Sequence, residues 1–95
     1  MEEQTIPVPA EALRQAAKSA TNEVQEYRQL GHKHSATRRE KQIAEAYEAL
    51  NGADGEFVSV KAGTLSGLTA AARYTNETRQ YINCCRHYLK QYKVW

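Results

Sequence analysis

The sequence is poor in large core-forming side chains. Its 95 residues hold one phenylalanine and one tryptophan, and many of its apolar positions are alanine. The sizeable aliphatic residues are few and scattered, chiefly Leu13, Val24, Leu30, Ile43, Leu50, Val58, Val60, Leu65, Leu68, Ile82 and Leu89. Length alone indicates a single domain over 1–95, and a domain of this size has a modest core. A thin core predicts self-association, with a homodimer as the expected form. Long apolar runs are missing too. No stretch approaches the roughly 20 residues of a membrane span, so no membrane partner is expected. The acidic start "MEEQTIPVP" lacks a basic region followed by an apolar one, so no secretory leader is expected. The two cysteines, Cys84 and Cys85, are neighbours. A disulfide between them would be strained, which excludes a disulfide framework and favours a reducing, cytoplasmic setting.

Signatures of catalysis are also absent. There is no GxSxG, HExxH or phosphate loop. His32, His34 and His87 have no evident nucleophile or acid partner, and Glu45 and Glu48 fall on the solvent side of a helical pattern. Neither an enzyme nor a cofactor is expected. Cys84, Cys85 and His87 do not make a zinc set, because zinc ligands come in spaced pairs and helical neighbours point about 100° apart. No metal is expected, and Cys85 reads as a small buried hydrophobe.

Helical periodicity is what the sequence does hold. In "PAEALRQAAKSATNEVQEYRQLG", Leu13, Ala17, Ala20, Val24 and Tyr27 are spaced 4, 3, 4, 3 and share one face. Pro9 suits a helix start and Gly31 a helix end, which predicts a helix over 9–30. A second helix is expected over 37–51. Thr37 and Glu40 have capping-box spacing, Ile43, Tyr47 and Leu50 form its apolar face, and Asn51-Gly52 closes it. "EFVSV" predicts an extended segment near 56–60 with no second strand to pair with. Ala71, Thr75, Thr78, Ile82, Cys85, Leu89 and Tyr92 then step by 4 and 3 without a slip, predicting a helix over 69–92 begun at Thr69. A start capped by Thr75 is the alternative, which places the turn at Arg73–Asn76 and not at Ser66–Thr69. The fold class expected is all-α with three principal helices.

Net charge is only +2, but it is unevenly placed. Residues 1–27 carry −3, residues 28–41 +4, residues 42–60 −4 and residues 61–95 +5. Such alternation predicts a bipolar surface. On the last helix Arg79, Asn83, Arg86, Lys90 and Lys93 share one stripe, flanked by Asn76, Gln80 and His87. Arg, Asn and Gln pair with base edges, while Lys mostly contacts phosphate. Tyr74, Tyr81, Tyr88 and Tyr92 run along the same helix, and tyrosine is common at interfaces.

From Arg38 onward, the order of helix ("TRREKQIAEAYEALNG"), β-prone link ("GEFVSV"), small-residue turn region ("KAGTLSGLT") and long polar-faced helix resembles a winged-helix or helix-turn-helix DNA-binding domain. The resemblance covers about 60% of the chain and rests on order and pattern. It implies a small regulatory or accessory protein that binds duplex DNA. Arg79, Gln80, Asn83 and Arg86 would meet bases or phosphates, and Arg38, Arg39, Lys90 and Lys93 phosphates. Such a role would suit a phage, plasmid or other bacterial mobile element. The competing expectation is a helical adaptor or inhibitor that binds a protein through the tyrosine stripe and touches no nucleic acid.

Overall fold

A computed structural model describes residues 4–52, 55–70 and 75–93. They form, in order, β1 (Thr5–Pro9), α1 (Ala10–Gln29), α2 (Lys33–Asn51), β2 (Phe57–Lys61), α3 (Ala62–Thr69) and α4 (Asn76–Gln91). The chain is mostly helical and carries a small two-stranded sheet. The expectation of three helices is corrected to four among the described residues.

The first strand was not expected from the sequence. Ile6 and Val8 alternate with Thr5, Pro7 and Pro9, and β1 pairs antiparallel with β2 in the register Ile6 to Val60 and Val8 to Val58. The Ala10 amide donates to the Glu56 carbonyl at 2.7 Å and the Ala62 amide to the Gln4 carbonyl at 2.8 Å. Even-numbered residues therefore exchange the ladder bonds. The odd ones turn their backbone groups outward, since hydrogen-bonded and non-bonded pairs alternate. This parity lets a strand hold two prolines, because neither ring sits where the ladder needs an N–H. Ile6, Val8, Val58 and Val60 are buried against the helices, while Thr5, Phe57, Ser59 and Lys61 face solvent.

The alanine stripe of α1 forms the centre of the helical layer. Leu13, Ala16, Ala17 and Ala20 are fully buried, and α1 packs on α2, α3, α4 and β1. Small side chains let these neighbours come close. At its end Gly31 adopts φ +81. The His32 amide donates to the Tyr27 carbonyl at 2.8 Å and the Gly31 amide to the Arg28 carbonyl at 3.2 Å, the paired bonds of a Schellman stop. The reversal is so tight that α2 begins at Lys33, four residues before the expected start at Thr37. Ala36, fully buried, draws this first turn inward. The Thr37–Glu40 capping box does not form, and Glu40 pairs instead with Arg28 of α1. Ala46 is the buried centre of α2, with Ile43 and Leu50 half-buried and Tyr47 turned to solvent.

The continuous helix expected over 69–92 is also corrected. Ser66–Thr69 are the end of α3, and the Thr69 hydroxyl donates back to the Ser66 carbonyl at 3.1 Å, within its own helix. Thr75 starts α4: its Oγ1 accepts the Thr78 amide at 3.3 Å, and the Thr78 hydroxyl donates to the Thr75 carbonyl at 3.1 Å. The periodicity ran through the break because the threonines stay in phase with the buried stripe. One buried cluster, including Ile6, Val8, Leu13, Ala46, Val58, Val60, Leu65, Leu68, Ile82, Cys85 and Leu89, joins all six elements.

Candidate nucleic-acid interface

Helix α4 presents three kinds of surface. Ile82, Cys85 and Leu89 are fully buried and fix its rotation. Its outer side exposes Asn76, Arg79, Gln80, Asn83, His87 and Lys90, and Lys93 follows just beyond the helix, also exposed, with φ 61. Tyr81 and Tyr88 form a half-buried flank packed against the core. The Tyr88 ring meets Phe57 of β2 edge-on, with centroids 6.4 Å apart, and His87 at 5.7 Å. Tyr92, one turn beyond Tyr88, is exposed. Tyr74 lies outside the described residues.

Two of the arginines expected to face a ligand are engaged inside the protein. The Arg86 guanidinium donates from Nη2 to the Thr69 carbonyl at 2.9 Å. Arg39 ties its own helix α2 to α1 and α3. It donates from Nε and Nη2 to Oε1 of Glu23 at 3.2 and 3.1 Å, and from Nη1 to the Gln42 side-chain carbonyl at 2.7 Å. The same Nη1 meets the Gly67 carbonyl. Both arginines therefore converge on the C-terminal end of α3. A helix leaves its last carbonyls without intrahelical donors, and the macrodipole makes that end attractive to cations. Helix α3 has no basic residue in its own last turn, so α2 and α4 supply two. The contact is close: a Cβ on Gly67 would collide with the Gln42 side chain.

Glu23 is almost fully buried in α1, and its partner Arg39 is largely buried. Tyr27, one turn further along α1, has its phenol pushed above the ordinary value, first by hydrogen bonding to Glu23 and then by burial. The Cys85 thiol is pushed up to about 12, chiefly by burial and secondly by the neighbouring Cys84. Burial also raises Cys84. Neither is poised as a thiolate near neutral pH.

Arg38 is exposed on α2, as is Lys41. The expected clamp of this cluster beside the α4 stripe is not assembled by direct packing. Helices α1 and α3 each pack on both, whereas α2 and α4 make no extensive contact. Phe57, the single phenylalanine and an expected core former, is not in the core. It shares the outward phase of Ser59 and Lys61, which was the available signal, and is 53% exposed. Among the described residues no helix is long and apolar enough to cross a membrane. Comparison with protein-family models, curated proteins and solved structures gave no match.

Proposed function

We propose that this chain is a small helical accessory protein that binds duplex DNA through α4. One observation carries the reading. Helix α4 has a locked inner side, and on its outer side it exposes Asn76, Arg79, Gln80, Asn83 and Lys90 together. Side chains of these types read base edges from a helix seated in the major groove. In helix-turn-helix docking the N-terminal residues of the second helix make those contacts. Thr75 pins that end of α4.

In this reading Arg79, Gln80 and Asn83 contact bases, while Lys90 and Lys93 contact phosphates. Arg38 would reach only flanking phosphate, because α1 and α3 lie between it and α4. Arg39 and Arg86 serve the reading indirectly, by holding α3 where it orients α4. A role in a phage or plasmid is compatible with the size and charge of the chain.

The test is fluorescence polarisation with a random-sequence duplex and with selected sites. Arg79→Ala/Asn83→Ala should weaken binding about 10- to 100-fold at a selected site, since a good bidentate contact contributes about 1–3 kcal/mol of discrimination. Unchanged binding would remove this face from the account, and no binding at low salt would remove DNA.

A second reading, a protein-interaction module or homodimer, is favoured by Phe57, whose exposed ring stands edge-on to Tyr88. Dimerisation at micromolar concentration, lost on Phe57→Ser, would support it.

A further inference from the structure

The two edges of the small sheet are not alike. On β1 the outward backbone positions are Thr5, Pro7 and Pro9, and two of these three have no N–H to offer. Prolines of this kind blunt an edge against pairing. On β2 the outward positions are Phe57, Ser59 and Lys61. Their N–H groups, and the Phe57 and Ser59 carbonyls, have no hydrogen-bond partner among the described residues. Backbone groups left open in a row are a template for another strand.

This open edge borders a groove of about 430 Å³, lined by Ser59, Val60 and Lys61 together with Thr5, Thr64 and the α2 residues Glu45, Glu48 and Ala49. Its far wall is acidic. Glu45 is fixed in place by the Thr64 hydroxyl, which donates to Oε2 at 2.6 Å, and Glu48 is exposed one turn further along the same helix. Lys61 is the one cation against these two carboxylates among the lining residues.

We infer that the open edge of β2 receives an extended basic peptide as a third strand. Main-chain bonds to Phe57, Ser59 and Lys61 supply affinity, and alternate side chains supply selectivity, as in other strand-addition complexes. Side chains on the Val58/Val60 side of the added strand point toward α2, where lysine or arginine meets Glu45 and Glu48. A second copy of β2 fits less well, because it would bring a second Glu45/Glu48 wall against the first. This surface is separate from the outer side of α4, and the inference does not depend on DNA binding.

The experiment uses a nine-residue amidated peptide of alternating lysine and valine, with an alternating glutamate–valine peptide as control. Amide exchange and shifts are followed by ¹⁵N NMR. The lysine peptide should slow exchange at Phe57, Ser59 and Lys61, and the glutamate peptide should not. Ser59→Pro removes one outward donor at a position that, like Pro7 opposite it, makes no ladder bond. It should weaken binding at least about fivefold, the range for one hydrogen bond. Glu48→Lys, on an exposed site, should weaken it about fivefold and guards against misfolding of the proline variant. The inference is overturned by unchanged exchange at Ser59 with millimolar peptide, or by equal binding of both peptides. Protection of Ser59 without peptide in a sedimenting dimer would also overturn it, making a second copy the occupant.

Discussion

The pair of Glu23 and Arg39 is the most demanding place to perturb this fold. The Arg39 side chain is 14% exposed and that of Glu23 6%, so both charges are largely out of water. Replacing Arg39 by alanine strips the carboxylate of its cation and removes one of the two donors on the Gly67 carbonyl. The other, the Ala70 amide at 3.3 Å, remains. Breaking a buried pair from one side costs about 3–5 kcal/mol. That is a large part of the ~5–15 kcal/mol that stabilises a domain. Glu23→Gln should cost less, about 1 kcal/mol, because its amide oxygen still accepts from the guanidinium. Glu23→Leu with Arg39→Met replaces the pair by apolar groups of similar size. It should recover most of the loss, as buried pairs often do. The assay is urea unfolding by circular dichroism, with Arg39→Ala lowering the midpoint by about 2 M at an unchanged slope of ~2 kcal/mol/M. If Arg39→Ala costs under about 1 kcal/mol, a surface-like value, or if the double variant loses the sum of its single ones, the pair does not hold the helices together.

Thr75→Ala should cost about 1 kcal/mol in the same assay, the usual worth of an N-cap hydroxyl. No loss would place the start of α4 elsewhere. Arg86→Ala should destabilise the fold by about 1.5–3 kcal/mol, as the loss of a charged hydrogen bond. Lost DNA binding in that variant would then not report a contact, and an unchanged melting temperature would return Arg86 to the candidate surface. The Cys85 thiol has its folded-state pKa raised from 9.0 to about 12. Its contribution is whole below pH 9 and declines as pH rises toward 12. By pH 10.5 wild type should lose about 2 kcal/mol more than Cys85→Ala, measured as unfolding free energy against pH. Parallel curves would refute the buried thiol.

How far the sequence disclosed all this follows from the kind of signal each part leaves. The inner side of α4 was legible because Ile82, Cys85 and Leu89 repeat at helical spacing, and the end of α1 because Gly31 marks a stop. Strand β1 was not, since "TIPVP" is short, contains two prolines and finds its partner some fifty residues away. The break before Thr75 was hidden because threonine serves equally as a buried residue and as a cap. Arg39 and Arg86 read as ligand-facing because nothing local distinguishes them from Arg38 and Arg79. Their acceptors are Glu23, Gln42 and the carbonyls of Gly67 and Thr69, and only the packing of four helices brings these within reach.

The measurement closest to the central claim is the salt dependence of duplex binding by wild type and Lys90→Ala. If α4 lies in the groove, the logarithm of the binding constant falls linearly with the logarithm of salt concentration. The variant's slope should then be shallower by about 1, the signature of one phosphate contact removed. A wild-type slope near zero, or equal slopes for the two proteins, would contradict DNA binding through this face.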